Sequence, residues 1–460
     1  MFSMYDLSTE FNKFYRSKVV LSNKIQHELR EKRKLNIKRL KEGLIEYNEE
    51  YATDYKICEN RIQGSMAMHT VVQNDDKDYD IDVAIVFEKS NLGDLGPLAV
   101  RNMVADALRR KTQQFKVEPQ VKTSCIRIQY AEGYHVDFAV YRRYKKSETD
   151  EIYEYEHAGK DWAPRDIRAV EDWFKGEIRV KGIDLRKIVR LSKMFCKSHD
   201  SWKNMPSGLV QTVLCDAEFG ECTRIDELFY QTMDFIKKRL ENDIELEAPV
   251  DNGRALVTRE SDRQRMNNWK NRLNSKMKEL EVLFTDGCTY SEAINAWHKF
   301  FNHSYWSELT TLRENKEFSL NKPWSYTDTE QFIEDMYDVN EQYDVLIDCR
   351  IMGNGFRTMT IHNFISKYAS PLKAYIPYHF KVECKVGETT APSYDKVLWK
   401  VRNVGLEAEK RDDIRGQILD RGSRIIENTL FDGQHYIECY LIKDNVCIAI
   451  GHIDIPIGAK

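Results

Sequence analysis

The chain has 460 residues, which is too long for one hydrophobic core and predicts about two or three domains. Hydrophobic residues make up 42% of the chain and aromatic residues 11%, so a largely disordered protein is excluded although 31% of the residues are charged. Lysine and arginine (70) nearly balance aspartate and glutamate (74), and the formal charge of −4 excludes a protein that coats DNA over its whole surface.

The chain shows no sign of membrane insertion or secretion. No segment approaches the roughly 20 apolar residues that cross a bilayer, and Met1–Asp6 lacks the charged and apolar sections of a secretory signal. We therefore expect a cytoplasmic protein that does not insert into a membrane. The 10 cysteines stand singly, without a C-x-x-C pair, and are expected to be reduced thiols that mostly fill cores.

The first periodic segment runs from about Ser8 to Tyr55. Its apolar residues, from Ile25 to Tyr47, recur near one helical turn apart or at multiples of it. This pattern predicts one long amphipathic helix. The basic stretch Arg30–Lys41 has glutamates interleaved with it, which favours a solvated helix face over a phosphate-binding one.

Strand patterns follow, with a helix predicted at about residues 98–114 between them. Residues 80–87 form an apolar run that is typical of a central strand, and Ala131-Glu132-Gly133 predicts a hairpin turn. The predicted strands are 57–62, 80–87, 116–121, 124–130 and 134–141. The mixed order predicts an α+β sheet with helices packed on it.

Residues 165–303 are predicted to be almost wholly helical, and the polar stretch 310–326 is interpreted as a linker. Short apolar strands dominate beyond it, with one helix predicted near residues 411–419. These strands are expected at 343–351, 374–386, 396–404, 435–442 and 445–453. The predicted domain boundaries are therefore 1–160, 161–305, a linker at 306–329, and a separate β-rich domain at 330–460.

A pair of aspartates carries the strongest chemical signal. Asp80 and Asp82 lie two residues apart in a predicted strand, so their carboxylates project from the same face. A third acid, Asp137, lies in another strand pattern, and an adjacent strand would bring it to the pair. Three such carboxylates can hold two Mg²⁺ ions, one activating an attacking hydroxyl and one stabilising the leaving pyrophosphate.

Gly64 and Ser65 directly follow the first predicted strand, about fifteen residues before the aspartate pair. Glycine lets backbone N–H groups approach a phosphate closely, and serine adds a hydroxyl. Each feature alone is common on protein surfaces. Their order along the chain, ending in Asp137, predicts a site for nucleotide chemistry.

These residues resemble a known family. Gly64-Ser65, Asp80-Ile81-Asp82 and Asp137 match the polymerase-beta-like nucleotidyltransferase core, and the long spine helix resembles the cGAS/DncV-like group, or CD-NTases. The resemblance covers roughly residues 8–300. It implies an α+β fold class, with a polymerase-beta-like nucleotidyltransferase core (a mixed sheet with a spine helix) in residues 1–160 and a helical lobe in 161–305.

Two segments of that lobe, Arg190–Phe195 and Pro206–Thr212, resemble the family's helical lobe. The resemblance implies that Lys193 and Ser207 grip the donor triphosphate. Considered without the family, Lys193 supplies a point charge for a triphosphate, and a solvent-facing helix lysine is the alternative. Ser207 is also a natural helix N-cap, which does not exclude a contact with phosphate.

Arg127 and His135 share the neighbourhood of the proposed acids. Arg127 faces a sheet surface near them if the strand register is right, and an ordinary solvated arginine is the alternative. His135 shares a strand face with Asp137, where a structural or base-contacting role is favoured over metal ligation.

The C-terminal strand Val397–Gly405 alternates apolar and basic residues. Basic and aromatic residues that follow it can hold a nucleotide through phosphate contacts and stacking, and a plain β-sandwich with a charged outer face is the alternative. Residues 330–460 resemble the adenylyl/guanylyl cyclase and SMODS C-terminal sensor domain (AGS-C), which implies a β-rich, sandwich-like domain that senses a nucleotide or binds product. Charge and strand face single out four contact residues: Lys400, Arg402, Arg415 and His435.

The resemblance implies a Mg²⁺-dependent enzyme, with Mn²⁺ as an alternative and two ions per site. It would join NTPs, or dNTPs, into a cyclic or short linear oligonucleotide with release of pyrophosphate. The product would act in bacterial antiviral defence by activating an effector protein, a membrane protein or a nuclease being two classes of effector. The alternatives are a nucleotidyltransferase acting on an RNA 3′ end or a protein, and a catalytically silent nucleotide-binding sensor; three intact metal-ligand acids argue against the latter.

Overall fold

A computed structural model describes residues 3–74, 77–250, 253–314, 329–353, 355–368 and 376–458. Contacts between Cα atoms divide the chain into two units. The first comprises Met1–Cys58 with Ile62–Asn321, and the second comprises Lys322–Lys460 with Glu59–Arg61. Most of the predicted linker, residues 306–329, lies outside the described residues, because 315–328 are not among them. The part up to residue 314 belongs to a helix.

The first unit combines one mixed sheet with twelve described α-helices. Its elements in chain order are α1 (Ser8–Phe14), α2 (Asn23–Tyr51), β1 (Ile57–Gln63), α3 (Gly64–Ala67), β2 (Asp80–Glu88), α4 (Lys89–Leu92), α5 (Pro97–Arg110), β3 (Gln120–Val121), β4 (Ile126–Gln129), β5 (His135–Tyr144), β6 (Glu154–Ala158), β7 (Trp162–Pro164), α6 (Ala169–Lys181), α7 (Asp184–Lys197), α8 (Gly208–Ala217), α9 (Ile225–Asn242), α10 (Glu260–Glu279), α11 (Tyr290–Phe301) and α12 (Ser304–Glu314).

The sheet has the strand order β1-β2-β5-β4-β3, and β6 continues from β5 to β7. Strands β2 and β5 are parallel, with Asp80 opposite His135 and Asp82 opposite Asp137. Strand β4 runs antiparallel to β5 on its other side, with Arg127 opposite Asp137. Because β5 lies between β2 and β4, this register brings side chains from three strands to one place.

The prediction of one continuous helix over residues 8–55 is wrong. Helix α1 runs into a π-helical turn at Tyr15–Val19, Val20 is extended, and α2 begins afresh at Asn23 with Ser22 as its N-cap. Phe14 belongs to the core of the helical part of the unit, whereas Leu29 packs in the core under the sheet. The break lets the two halves of the segment bury their apolar faces in different cores.

The sheet departs from the prediction at its edges. Strand β3 has only two residues and begins directly after Pro119, which cannot donate a ladder hydrogen bond. Strands β6 and β7 were not predicted. The hairpin between β4 and β5 has the predicted turn, where the N–H of Gly133 donates to the carbonyl of Tyr130.

Helices α6–α12 pack with α1 around a core that is rich in aromatic rings. Trp269, Trp297 and Trp306 are each fully buried there, and the ring of Phe11 meets that of Trp297 edge-on at 4.5 Å. Rings in this arrangement stabilise a core beyond their buried area alone. The core holds α7 and α8 in place.

The second unit is a two-sheet structure. Its elements are α13 (Ile333–Met336), β8 (Asp338–Val339), β9 (Val345–Met352), β10 (Met359–Thr360), α14 (Ile361–Tyr368), β11 (Lys381–Thr389), β12 (Lys396–Arg402), α15 (Leu406–Lys410), β13 (Arg415–Asp420), β14 (Arg424–Asn428), β15 (Gly433–Lys443) and β16 (Val446–Ile457).

One sheet has the order β10-β9-β11-β14 and the other β13-β12-β15-β16-β8. A single core contains residues of both sheets, among them Ile351 and Val382 from the first and Trp399 and Ile437 from the second. This is the predicted β-rich, sandwich-like domain, and together with the mixed sheet of the first unit it confirms the α+β fold class.

Two sequence-based interpretations of this unit are wrong. The helix predicted at residues 411–419 is replaced by strand β13, and the alternating burial of Gly416 and Ile418 shows the period of a strand. The cysteines are not all reduced thiols, because Cys349 on β9 and Cys384 on β11 lie directly opposite each other and form a disulfide. Within the described residues, no helix has the length and apolar character that crossing a membrane requires.

Candidate active site

Three carboxylates meet on one wall of a cleft in the first unit. Asp80 and Asp82 project from β2, and Asp137 lies on β5 directly opposite Asp82. All three line a cleft of about 770 Å³, a size within the range of roughly 300–1,000 Å³ that small-molecule sites occupy. The structure thus brings together the three acids that the sequence predicted.

The side chain of Asp82 is in the most unfavourable electrostatic position of the three. Burial, and then the charges of Asp80 and Asp137, raise the pKa of Asp82 to about 7. Gly64 makes room for it, because a Cβ atom on Gly64 would lie 2.4 Å from Asp82 Oδ2. Gly64 also has a φ of +65°, a conformation that glycine adopts readily.

Two basic side chains contact the acids. Arg127 on β4 donates to Asp137 through Nε at 2.8 Å and through Nη2 at 2.5 Å. His135 Nε2 contacts Asp80 Oδ1. Burial acts to raise the pKa of Asp80, but the hydrogen bond with His135 and the charges of His135 and Arg127 lower it overall. The structure thus excludes a solvated, unpaired Arg127.

The backbone N–H of Gly64, proposed to face a phosphate, donates to Glu171 Oε1 at 2.9 Å. Glu171 is buried on α6 and lines the cleft together with Gly64 and Ser65. The sequence did not reveal Glu171, because it lies 107 residues from Gly64 and belongs to no local motif. A carboxylate therefore occupies the donor that an anionic ligand would use.

Lys193 is buried, which excludes the solvent-facing interpretation. Its Nζ donates to Thr70 Oγ1 at 2.7 Å and to the Thr70 carbonyl at 3.2 Å. Burial lowers the pKa of Lys193 to about 7. Both residues line the cleft, so an anion entering it would meet this ammonium group.

Ser207 is the N-cap of α8, and its hydroxyl accepts from the Val210 N–H at 3.4 Å. The side chain is exposed, and its neighbours Pro206 and Gly208 line the cleft. Its predicted contact with a triphosphate stays a prediction.

Further cations around the cleft did not stand out in the sequence. Arg165, Lys197 and Lys203 all line it, and they come from separate places along the chain. Together with Lys193 they supply positive charge to the cleft that the acids also line. A triphosphate with bound divalent cations matches this distribution of charge.

The donor set fits a divalent cation. Three possible ligand atoms, one each from Asp80, His135 and Asp137, lie within 4.8 Å of one another. Carboxylate oxygens are the ligands that Mg²⁺ and Mn²⁺ prefer, and a cation among the acids would offset the repulsion that raises the pKa of Asp82. The metal ligands would be Asp80, Asp82 and Asp137, as the sequence indicated, with His135 beside them.

Comparison with known proteins agrees with this geometry. Residues 58–141 match the model of the cyclic GMP-AMP synthase DncV-like nucleotidyltransferase domain. Residues 327–458 match the model of the adenylyl/guanylyl and SMODS C-terminal sensor domain. The chain therefore has a DncV-like nucleotidyltransferase domain and a C-terminal AGS-C domain.

The chain is 23% identical over 435 residues to a cyclic GMP-AMP synthase of Escherichia albertii, covering 90% of this chain and 88% of that protein. Its fold resembles the crystal structure of Vibrio cholerae DncV cyclic AMP-GMP synthase, with a TM-score of 0.53 and 17% identity over 65% of this chain and 96% of that one. The DncV complex with the linear intermediate 5′-pppA(3′,5′)pG gives a TM-score of 0.54 at 17% identity, covering 65% and 97%.

In the AGS-C domain, two of the four predicted contact residues share one acid, Glu330. Lys400 Nζ donates to Glu330 Oε1 at 2.7 Å, and Arg402 Nη2 lies 3.3 Å from Glu330 Oε2. Although burial acts to raise it, the charges of Lys400 and Arg402 lower the pKa of Glu330 to about 2. Glu330 therefore pairs with both basic side chains. It lies 70 residues from Lys400, so local spacing in the sequence does not predict the contact.

The other two residues line a second, small cavity. Arg415 pairs with Glu427 through two hydrogen bonds of 2.6 and 3.0 Å. His435 lies between the Val404 N–H and the Phe431 carbonyl, so backbone groups engage both ring nitrogens. The cavity measures about 100 Å³ and is far smaller than the first cleft.

Proposed function

We propose that this protein joins NTPs, or dNTPs, into a cyclic or short linear oligonucleotide second messenger with release of pyrophosphate, in a reaction that depends on Mg²⁺ or Mn²⁺. The observation that carries the proposal is the convergence of three carboxylates and a buried lysine on one cleft of about 770 Å³. A nucleotide-sized cleft with these groups suits phosphoryl transfer to a hydroxyl.

In this proposal Asp80, Asp82 and Asp137 hold two divalent cations. Bound there, the ions would lower the pKa of the attacking hydroxyl and stabilise the negative charge on the leaving pyrophosphate. The transfer forms a bond between that hydroxyl oxygen and the α-phosphorus of the donor, and breaks the bond to the bridging oxygen of the β-phosphate. The hydroxyl proton leaves to solvent.

The donor triphosphate would be held by Gly64, Ser65, Lys193 and Ser207. Lys193 has a particular task here, because its burial lowers its pKa to about 7 and an arriving phosphate favours the charged form. Thr70 holds the ammonium group at the wall of the cleft, so the lysine is positioned before the nucleotide binds.

The biological role we propose is bacterial antiviral defence, in which the product activates an effector protein. It is supported by the relatives named as cyclic GMP-AMP synthases and by the presence of an AGS-C domain. Within that domain we propose Arg415 as the residue nearest to a ligand role, since it lines a cavity, and Lys400 and Arg402 as residues that a ligand reaches only by displacing Glu330.

Incubation of the full chain with α-³²P-labelled NTPs and Mg²⁺, with and without phage lysate, tests the reaction type. We expect label in a small, phosphatase-resistant product together with pyrophosphate. Label on added RNA or on protein would instead identify a macromolecular acceptor, and an unchanged nucleotide pool under all conditions would contradict the proposal.

A further inference from the structure

Strand register places Arg127 next to Asp137, one of the three acids of the proposed site. It lies directly opposite Asp137 in the antiparallel pairing of β4 and β5. Its Nε donates to Asp137 Oδ1 at 2.8 Å and its Nη2 to Oδ2 at 2.5 Å. Both carboxylate oxygens of Asp137 therefore accept from one guanidinium, the strongest geometry that an ion pair of side chains adopts.

The same Arg127 Nη2 reaches a second acid on another strand. It lies 3.6 Å from Asp80 Oδ1 on β2. One nitrogen thus lies between oxygens of Asp80 and Asp137, which are two of the three carboxylates that would share a divalent cation. Mg²⁺ binds such oxygens at about 2.0–2.1 Å and needs the space between them.

We infer that Arg127 is a built-in counter-cation that holds Asp80 and Asp137 together when no metal is bound, and that it is displaced from between them when a divalent cation binds. This inference rests on the proposed metal site. The Arg127 side chain is about one quarter exposed, and so has solvent on one side into which it can move. Its positive charge offsets the repulsion between the carboxylates. The same charge repels an arriving metal cation.

The same sheet supplies a matched ion pair that lacks this second contact. Arg142 on β5 donates through Nε to Glu156 on β6 at 2.5 Å, and this residue pair lies opposite in the strand register. Neither Arg142 nor Glu156 lines the cleft. Arg142→Met therefore removes a cross-strand arginine–carboxylate pair from β5 without altering the charge between the acids.

The experiment is a titration of the full chain with Mn²⁺ alone, without nucleotide, in which free Mn²⁺ is followed by electron paramagnetic resonance. Wild type, Arg127→Met and Arg142→Met are compared after circular dichroism has shown that each is folded. We expect Arg127→Met to bind Mn²⁺ about tenfold more tightly than wild type, because one opposing charge is gone. Arg142→Met should bind like wild type.

Arg127→Lys provides a second variant if the methionine variant does not fold. Lysine keeps the charge but cannot make the two-pronged contact, so Mn²⁺ should again bind more tightly than to wild type, by a smaller factor. Wild-type or weaker Mn²⁺ affinity in the folded Arg127 variants would overturn the counter-cation role while leaving the metal site intact. Failure of every variant and of wild type to bind Mn²⁺ would overturn both this inference and the proposed metal site.

Discussion

The Glu171 carboxylate accepts the backbone N–H of Gly64 at 2.9 Å, so an acid of α6 occupies the hydrogen-bond donor proposed for the donor phosphates. A triphosphate at this place would meet a like charge. We therefore predict that Glu171→Gln raises the affinity for a non-hydrolysable NTP analogue by about tenfold, equivalent to ~1.4 kcal/mol.

Asp172→Asn is the matched control for Glu171→Gln. Asp172 is the next residue on α6, is exposed and lies near Lys175 instead of the cleft. Isothermal titration with the analogue should give the wild-type affinity for this variant. A loss of affinity in Glu171→Gln would show that Glu171 positions Gly64 instead of competing with phosphate.

Gly64 should not tolerate a side chain. In Gly64→Ala the new Cβ would lie 2.4 Å from Asp82 Oδ2, and the carboxylate must move. We expect nucleotide transfer to fall by about 100-fold or more, since misplacing a reacting group by about 1 Å costs that much. The rate of pyrophosphate release measures it.

Gly93→Ala separates that collision from backbone strain. Gly93 also has a positive φ, +56°, but apart from the adjoining backbone no heavy atom of the described residues lies within 4 Å of its Cβ position. It should lose about 1 kcal/mol of stability and keep its transfer rate. Equal losses of activity in the two variants would contradict the role of Gly64 in making room for Asp82.

Lys193→Met should change both the pH dependence of stability and the affinity for NTP, and the two can be measured separately. Burial lowers the pKa of Lys193 to about 7, below its ordinary 10.5, so the unfolded chain binds more protons than the folded chain between pH 7 and 10.5. Lys193 therefore makes the free energy of unfolding of the wild type rise with pH in that window, by on the order of 2 kcal/mol from pH 7 to 9.

The methionine variant should lose this slope and bind NTP about tenfold to 100-fold more weakly, because the cation that meets the phosphates is gone. Denaturant unfolding at pH 7 and 9 and NTP titration measure the two effects. Lys187→Met, on the same helix but paired with Asp184, should change neither. A pH slope that persists in Lys193→Met would show that another group causes it.

We predict that His452 makes the stability of the AGS-C domain fall at alkaline pH. Burial acts to lower its pKa, but hydrogen bonds with Asp454 and Glu438 and the charges of both acids raise it to about 9. Because the folded pKa lies above the unfolded value, the stabilisation is complete below pH 6.5 and is lost as pH rises through 9. Tyr436 stacks on the ring and Lys400 lies 3.7 Å from Glu438, so the cluster is shared with other charges.

Hydrogen exchange of β15 and β16 amides in the full chain tests this. At pH 6.5, His452→Gln should lower the free energy of exchange of these amides by about 1–2 kcal/mol relative to wild type, a value that allows for solvent near the exposed Asp454. At pH 9 the difference should be small. His362→Gln, at an exposed position, is the control. A deficit of the same size at both pH values would refute the titration of His452 as its cause.

The pair Asp80 and Asp82 could be predicted because its arrangement is local, and Asp137 was expected beside it because its segment has the pattern of a strand that can pair with theirs. Alternation along a strand places Asp80 and Asp82 on one face, and the strand order brings Asp137 opposite Asp82. The fold class follows from the same patterns. Glu171 and Glu330 could not be predicted, because each reaches its partner across a large separation in sequence that only tertiary packing closes.

The errors in secondary structure also have tertiary causes. The segment Ser8–Tyr55 has helical periodicity throughout, but its two parts pack into different cores and separate at Val20. Residues 411–419 carry no strong strand pattern, and pairing with β12 converts Arg415–Asp420 into a strand. Cys349 and Cys384 are brought together only by the register of β9 and β11.

Mass spectrometry of the products made by the purified full chain from mixed NTPs and dNTPs with Mg²⁺ tests whether the three carboxylates perform nucleotidyl transfer. Wild type and Asp94→Asn, a variant at an exposed position outside the cleft, should make a phosphodiester-linked oligonucleotide, while Asp82→Asn should make none. The same oligonucleotide formed at undiminished rate by Asp82→Asn would contradict the claim that these carboxylates perform nucleotidyl transfer.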